Sequence, residues 1–222
     1  MYRFDSDKVL RIPALEAFSW LEHGFGTKGS KDWPPEDERA TVKQIHSTRV
    51  AVAVETGILG EGDALVTAAA GLWVAVKTAD CIPVLLVDPV RRVVAAVHAG
   101  WRGTAGNIVR STIDTMVSDF HSAPGDLWAA IGPGIRKCCY EVSSDVALQF
   151  ARWLPVDGLN GTMLDLTEVN RRQLIEAGLP EGQVVGPVDV EWCTRCETER
   201  LHSFRRDKES SGRMLSAIRV RA

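Results

Sequence analysis

Residues 72–104, LWVAVKTADCIPVLLVDPVRRVVAAVHAGWRGT, decide the fold. The stretch contains three apolar segments, separated by polar residues and proline. Segments of this length, rich in valine, leucine and isoleucine, predict strands at residues 72–77, 82–87 and 92–98. Because these segments are apolar at nearly every position, we expect a sheet that is covered on both faces.

Further strands are predicted outside this stretch. Apolar and β-branched residues predict them at residues 43–54, 128–131, 184–190 and 213–220. Weak alternation at residues 1–20 predicts a short strand region. The segment at residues 24–37 is rich in glycine, proline and charge, and it predicts a surface loop.

Helical patterns lie between the predicted strands. Residues 105–120 carry apolar side chains at helical spacing, and a serine cap predicts a helix at residues 144–153. Asp165 with Glu168 forms a capping-box pattern before a helix that ends at Gly178. Strands and helices alternate irregularly, and no linker-like stretch divides the chain. We therefore expect a single α+β domain of mixed β-sheets flanked by helices.

Composition excludes several classes of protein. The chain has 222 residues and a net charge of −3, whereas a general nucleic-acid coat needs a basic face. Its apolar runs are too short to span a bilayer, and its first residues lack the apolar core of a secretory signal. Five cysteines without an export signal favour the cytoplasm, where thiols stay reduced. We predict no nucleic-acid, membrane or protein partner.

Three side chains with metal-binding or catalytic chemistry stand at the ends of predicted strands. His46 opens one strand, Cys81 lies in the break between two strands, and His98 ends another. Strand ends are where rigid scaffolds present reactive groups. From spacing alone, the three residues form either a metal or catalytic site, or a buried cysteine and two hydrogen-bonded histidines.

Two aspartates lie close to these residues in the chain. Asp80 precedes Cys81 within an apolar stretch, and Asp63 stands at a turn before a strand. A metal-binding histidine commonly donates its other ring N–H to a carboxylate, and either aspartate could accept it. The alternative for each is an ordinary turn or capping aspartate.

A glycine-bearing turn, AGWRGT, follows His98 at residues 99–104. Its glycines permit close backbone approach. The start of the next helix, together with Arg102, could bind phosphate or carboxylate. Trp101 either stacks on a substrate ring or belongs to the core. A later cluster, RRD at residues 205–207, predicts ion pairs on the surface.

Four more cysteines occur in two places. The turn GPGIRKCCYE at residues 132–141 contains Arg136 and two adjacent cysteines. Adjacent cysteines are expected to point in different directions, so we predict Cys138 near the site and Cys139 in the core. The CTRC segment at residues 193–196 is a lone CxxC without the second pair that a zinc ribbon needs, and no metal or redox role is expected for it.

Several motifs in a fixed order resemble one known family. They are QIHS, GDALVT, KTADCIPVLLVD, AAVHAGWRGT, AAIGPGIRKCCYEV, HSFRRD and GRM, between residues 44 and 214. Together they resemble the YfiH-type family, also called polyphenol oxidase (laccase-domain) proteins, purine nucleoside phosphorylases or peptidoglycan editing factors. The resemblance implies one α+β domain, distantly similar to a toxin deamidase with a Cys–His pair. It also implies a zinc site formed by His46, Cys81 and His98.

The resemblance further implies a zinc-dependent enzyme of purine nucleosides. Its reactions would be phosphorolysis of adenosine, inosine and methylthioadenosine, and deamination of adenosine. Three protein ligands leave one zinc position open, as in catalytic sites. We expect Cys81 and His98 to serve catalysis as well as metal binding, with Asp80 or Asp63 as the acid–base group. The residues expected to contact nucleoside or phosphate are Gln44, Arg102, Arg136 and Cys138.

Two other functions stay open. One is a Cys–His hydrolase that edits peptidoglycan precursors, with Cys81 as nucleophile and His98 as base. The other is a nucleoside-binding module without catalysis. Copper, which the laccase label suggests, is disfavoured because five histidines cannot furnish several histidine-rich copper sites.

Overall fold

The three apolar segments of residues 72–98 form strands in the computed structural model, which describes residues 2–30, 33–154, 162–186 and 192–222. Apolar and β-branched side chains favour this outcome because they suit a buried pleated surface. In chain order the described strands are β1 (Arg3–Phe4), β2 (Leu10–Arg11), β3 (Leu21–Phe25), β4 (Arg39–Lys43), β5 (Val50–Val52), β6 (Gly57–Glu61), β7 (Ala64–Thr67), β8 (Trp73–Thr78), β9 (Ile82–Asp88), β10 (Val93–Ala99), β11 (Trp128–Ile131), β12 (Glu141–Val142), β13 (Thr162–Met163), β14 (Val184–Val185) and β15 (Met214–Val220). The described α-helices are α1 (Pro13–Glu16), α2 (Trp101–Ala105), α3 (Ile108–Phe120), α4 (Ser144–Leu148), α5 (Leu166–Glu176) and α6 (Phe204–Asp207).

The strands form two mixed sheets and one short pair. The seven-stranded sheet has the order β1-β2-β3-β15-β8-β4-β6, and the six-stranded sheet has the order β14-β11-β9-β10-β7-β5. Strand β4 runs parallel to β6 and β8, β5 runs parallel to β7, and β11 runs parallel to β14. The other neighbours in these sheets are antiparallel, and β12 pairs with β13.

The two sheets face each other, and helices cover the other face of the six-stranded sheet. Side-chain alternation along β10 shows both contacts. Val94 and Ala96 pack in the core between the sheets, whereas Val93, Ala95 and Val97 pack in a second core with residues of α3 and α5. Every residue of β9 and β10 is buried. The predicted α+β class and the predicted coverage of both faces are confirmed.

Helix α5 begins as the sequence predicts. The Asp165 carboxylate accepts the backbone N–H of Glu168 at 3.0 Å and caps the helix. Gly178 follows the last turn with a φ of 107°, in the left-handed region that glycine enters without strain. The Glu168 side chain forms ion pairs with Arg171 and Arg172 at 2.8 and 2.7 Å, and these take the place of the reciprocal capping-box contact.

Some predicted boundaries differ from the structure. Gly24 and Phe25, at the start of the predicted loop, lie in strand β3 and are buried. A side chain at Gly24 would lie 2.4 Å from the Val9 side chain, so tight packing rather than a turn explains this glycine. Residues 43–54 divide into the end of β4 and the short strand β5, with a turn between them.

Two late elements are shorter than predicted. The helix predicted through residue 153 ends at Leu148 and continues as turns. The strand predicted at residues 184–190 forms β14 at its start, and residues 187–190 lie outside the described residues. Within the described ranges, no helix combines the length and the apolar character needed to cross a membrane.

Candidate metal centre

Three strand ends meet at one edge of the six-stranded sheet. Strand β9 begins just after Cys81, and β10 runs antiparallel to it, with His98 opposite Pro83. Strand β7 begins just after Asp63 and is antiparallel to β10. Because antiparallel neighbours reverse direction, the starts of β7 and β9 share an edge with the end of β10. The turn between β4 and β5, which carries His46, folds against the same edge.

Asp63 holds this edge together. Its side chain is wholly buried and accepts the backbone N–H groups of Ile45, His46 and Ser47 at 3.3, 3.0 and 2.5 Å. It also accepts the Ser47 hydroxyl at 2.7 Å and contacts Nδ1 of His98 at 2.8 Å. One carboxylate therefore fixes the turn that carries one histidine and orients the ring of the other.

The donor atoms of His46, Cys81 and His98 converge. One ligand atom of each residue lies within 4.8 Å of the others, and the imidazole centroids are 4.9 Å apart. Gly100 makes this closeness possible, since a Cβ there would lie 2.9 Å from Cδ2 of His46 and 3.0 Å from Sγ of Cys81. Two imidazoles and a thiol are a donor set that suits a transition-metal ion.

Charge couples the same groups. Burial acts to raise the pKa of Cys81, but hydrogen bonds with His46 and His98 lower that pKa to about 6. Burial acts to lower the pKa of His98, but its contacts with Asp63 and Cys81 raise that pKa to about 9. Burial also acts against the Asp63 carboxylate, yet the contacts with His98 and Ser47 bring its pKa down to about 2. The three pKa shifts favour a thiolate at Cys81, an imidazolium at His98 and a carboxylate at Asp63.

Asp80 is held beside the centre by a different set of contacts. Its Oδ1 accepts the Thr194 hydroxyl, and its Oδ2 accepts the Arg205 N–H, each at 2.6 Å. The φ angles of Asp80 and His46 are 90° and 58°, in the left-handed region that residues other than glycine seldom adopt. Such conformations concentrate at functional sites, where surrounding contacts enforce them.

A pocket of about 740 Å³ opens in front of these groups. This volume is typical of a small-molecule site. Its walls carry the rings of Tyr140 and Phe204 and the cationic side chains of Lys77, Arg205 and Arg213. The pocket therefore offers aromatic surface for a planar ring and positive charge for an anion.

Gln44 also lines this pocket, as expected for a residue that contacts substrate. Its amide already bonds to the backbone of Lys77, donating to the carbonyl at 2.8 Å and accepting the N–H at 2.7 Å. Gln44 thus joins the ends of β4 and β8 at the pocket wall.

The other three residues expected to contact substrate lie outside the lining that the structure describes. Arg102 is exposed, with its guanidinium 4.3 Å from the centroid of the Trp101 ring. Arg136 is buried, and Cys138 is exposed among other cysteines. Their contacts with substrate stay predictions.

The sequence interpretation missed Arg205 and its neighbours in the pocket. Within the predicted surface cluster, Arg206 and Asp207 do form an ion pair at 2.7 Å. Arg205 instead lines the pocket, with its guanidinium 5.2 Å from the centroid of the Tyr140 ring. The sequence feature that could have predicted Arg205 in the pocket was its position in the HSFRRD motif, beside Phe204.

The structure brings together Cys138, Cys139, Cys193 and Cys196, called here the cysteine cluster. One sulfur atom from each lies within 4.8 Å of the others. The expectation that Cys138 and Cys139 must face different ways is wrong because they lie in a turn rather than an extended strand. In that turn the Cys139 N–H donates to the Arg136 carbonyl at 2.8 Å.

Known proteins are similar to this chain along most of its length. Residues 30–221 match the family model described as multi-copper polyphenol oxidoreductase laccase. A purine nucleoside phosphorylase of Deinococcus radiodurans is 42% identical over 188 residues, which cover 82% of this chain and 70% of that protein. Adenosine deaminase RL5, from an unknown prokaryotic organism, is 34% identical over 202 residues, covering 82% of this chain and 75% of that protein.

Solved structures agree with this relationship. YlmD from Geobacillus stearothermophilus superposes with a TM-score of 0.88 at 28% identity, covering 100% of this chain and 99% of that one. YfiH of Bacillus licheniformis gives a TM-score of 0.87 at 30% identity, covering 99% of each chain. The chain therefore belongs to the multi-copper polyphenol oxidoreductase laccase family, whose structural neighbours include YfiH and YlmD.

Proposed function

We propose that the protein is a zinc-dependent purine nucleoside enzyme of the cytoplasm. It would cleave adenosine, inosine and methylthioadenosine with phosphate, and it would also deaminate adenosine. Relatives named purine nucleoside phosphorylase and adenosine deaminase support both reactions. The observation that carries the proposal is the convergence of His46, Cys81 and His98 at the pocket, with Asp63 bonded to one of the two imidazoles.

His46, Cys81 and His98 would hold the zinc ion. Two imidazoles and one thiolate fit zinc, and a histidine that contacts a carboxylate through its second nitrogen is typical of zinc sites. Three protein ligands at a pocket are characteristic of catalytic rather than structural centres. When bound, zinc supplies Lewis acidity, which polarises oxygen atoms and favours loss of a proton from water near neutral pH.

Multicopper oxidation fits these residues less well. It needs several histidine-rich sites, and the chain has five histidines in all. Besides the two at the centre, His23 is buried and its Nε2 accepts the Ile12 N–H at 2.9 Å. His121 is exposed at the end of α3, and His202 is half-buried and outside the described lining of the pocket. We therefore assign zinc rather than a set of copper ions.

The pocket walls divide between the two parts of the substrates. The rings of Tyr140 and Phe204 would contact the purine. Lys77, Arg205 and Arg213 would attract phosphate, because a forked guanidinium and an ammonium both pair well with phosphate oxygens. We assign phosphate to these cations rather than to Arg102, since they line the same pocket as the donor atoms.

Both reactions need a group that moves a proton near the base. In phosphorolysis a phosphate oxygen bonds to C1′, the C1′–N9 bond breaks, and the leaving purine takes up a proton. In deamination a water oxygen adds to C6, and a proton passes from that water to the departing amine. Asp80 lines the pocket and is proposed to carry the proton on its carboxylate. Asp63 lies behind His98 and acts as a positioning residue.

Product identification tests this function. Metal-replete protein is incubated with adenosine, with and without phosphate. We expect inosine alone when phosphate is absent. With phosphate present we expect adenine, ribose 1-phosphate and hypoxanthine, the last from cleavage of the inosine that deamination forms. Asp80→Asn should slow both reactions, whereas Asp114→Asn, on the exposed face of α3, should change neither. Protein that binds adenosine but returns it unchanged would contradict the proposal and favour a nucleoside-binding module.

The series of contacts from the Cys81 sulfur to His98 and from His98 to Asp63 favours one second candidate function. This candidate is a Cys–His hydrolase of peptidoglycan precursors. The Cys81 sulfur would attack a carbonyl carbon, and His98 would deliver a proton to the departing amine. His46→Ala separates the two functions. It removes a zinc ligand and should abolish nucleoside turnover, whereas a Cys–His hydrolase would keep Cys81, His98 and Asp63 and retain part of its activity.

A further inference from the structure

The cysteine cluster lies outside the nucleoside pocket. Sγ of Cys196 lies 3.3 Å from Sγ of Cys139 and 3.9 Å from Sγ of Cys138. Cys193 is wholly buried, whereas Cys138 and Cys196 are exposed. The chain has five cysteines, so the fifth, Cys81, is left for the first centre.

The spacing of these sulfurs suits one tetrahedral ion. Zinc–sulfur bonds of about 2.3 Å place the four sulfurs of a tetrahedral site about 3.8 Å apart. The separations of 3.3 and 3.9 Å lie on either side of that value. A disulfide needs its two sulfurs about 2.0 Å apart, which is shorter than either separation. A single ion bound by all four sulfurs fits the observed distances without moving any pair into bonding contact.

Backbone hydrogen bonds close the turn that carries Cys193 and Cys196. The N–H groups of Cys196 and Glu197 donate to the Cys193 carbonyl at 3.1 and 2.9 Å and close the turn of the CTRC segment. The closed turn holds Cys193 and Cys196 beside Cys138 and Cys139, with one sulfur of each residue within 4.8 Å of the others.

Several positive residues lie next to the cluster in the chain, and Arg206 interacts electrostatically with Cys193. Four thiolates around one divalent zinc ion would carry a net charge of about −2. Arg136, Lys137 and Arg195 adjoin the cysteines in the chain. Arg206 donates to the carbonyls of Thr194 and Arg195 at 2.9 and 3.1 Å. Arg136, Lys137 and Arg195 would offset part of the charge that a four-thiolate site would create.

We propose that the cysteine cluster binds one zinc ion in a closed structural site. Four protein ligands leave no position for water or substrate, so the ion would join residues 136–140 to residues 193–196. Thr194, which lies next to Cys193, also links this region to the nucleoside pocket by two hydrogen bonds. Its N–H donates to the Gly134 carbonyl at 3.1 Å, and its hydroxyl donates to Asp80 at 2.6 Å. The proposal does not depend on the reaction at the first centre.

Metal counting tests the second site directly. Protein purified with reductant and without oxygen is examined by native mass spectrometry and elemental analysis. We expect two zinc ions per wild-type chain and one in Cys196→Ser. His46→Asn should also retain one, because it disrupts only the first centre, and the double variant should retain none. A zinc content that Cys196→Ser leaves unchanged would overturn the proposal, as would iron in place of the second zinc.

Cobalt identifies the ligands. In His46→Asn protein, added Co²⁺ should give the intense visible absorption of tetrahedral cobalt–thiolate, and the further change Cys196→Ser should abolish it. If the variants fail to fold, alkylation of the wild-type protein still tests the proposal. Zinc should protect the four cysteines from alkylation until a chelator is added. Cysteines that react at once in zinc-loaded protein, or a disulfide within the cluster, would contradict the assignment.

Thermal unfolding supplies a readout that is independent of turnover. A metal that binds only the folded chain raises its Tm. We expect chelation to lower the Tm of His46→Asn protein and to have no further effect after Cys196→Ser is added. An equal response to chelation in both proteins would place the stabilising metal elsewhere.

Discussion

Nδ1 of His98 lies 2.8 Å from Oδ1 of Asp63, and both side chains are buried. This contact leaves Nε2 of the imidazole for the centre that His98 shares with Cys81. The same carboxylate accepts the backbone N–H of His46 at 3.0 Å. The positions of both histidines therefore depend on one aspartate.

Asp63→Asn should weaken zinc binding. The amide oxygen of the substituted side chain could still accept backbone N–H groups, as the Asp63 carboxylate does. The amide lacks the negative charge that strengthens the contact with Nδ1 of His98 and so fixes the orientation of its ring. Loss of such an outer contact typically costs about 10- to 100-fold in metal affinity. Competition with a chromophoric chelator measures the change. Asp88→Asn is the matched control, because Asp88 is equally buried but accepts N–H groups of Val90 and Arg91 at the opposite end of β9.

Gly100→Ala should disrupt the same centre by crowding. The added methyl would lie 2.9 Å from the His46 ring and 3.0 Å from the Cys81 sulfur, so these donor atoms must separate. We expect loss of one zinc ion per chain, measured by elemental analysis. Gly125→Ala is the control, since a Cβ there meets nothing within 4 Å. Full zinc content in Gly100→Ala would show that the centre tolerates wider spacing than we infer.

Arg205→Ala should affect phosphate more than adenosine. A charge-assisted contact is worth about 1.5–3 kcal/mol, which corresponds to a rise in the KM for phosphate of about 10- to 100-fold. The backbone N–H that holds Asp80 is retained, so deamination should change far less. Arg110→Ala, which removes an exposed ion pair on α3, should leave both reactions unchanged. Equal losses in the two reactions would indicate that Arg205 acts through Asp80.

His23 should make the fold sensitive to acid. Burial, followed by the charge of Arg11, lowers its pKa from 6.5 to about 4. Between these pH values the unfolded chain binds a proton that the folded protein excludes. The free energy of unfolding should therefore fall as the pH is lowered through this window, by about 3 kcal/mol in total.

Denaturant unfolding of chelated protein at several pH values measures this slope. His23→Gln should flatten the profile between pH 6.5 and about 4. His121→Gln, at an exposed position, should keep the parent profile. A slope that persists in His23→Gln would assign the acid sensitivity to other groups.

Local patterns predicted the central strands and the start of α5 well. Strands β8, β9 and β10 need only a run of apolar and β-branched residues, and Asp165 caps its helix through a residue three positions away. The turn within residues 43–54 was missed, because the left-handed backbone at His46 is enforced by Asp63 across the sheet edge. Gly24 was misread as a loop residue for the same kind of reason: its neighbour Val9 is brought to it by strand pairing.

The amino-acid sequence by itself determined the elements, the α+β class and the likeness of its motifs to one family, because these depend on neighbouring residues and on the chemistry of single side chains. It also singled out His46, Cys81 and His98 by their places at strand ends. Only the tertiary structure decided that Asp63, rather than Asp80, contacts His98, that Arg205 lines the pocket, and that the cysteine cluster assembles. Each of these depends on the register of segments far apart in the chain, which local periodicity does not encode.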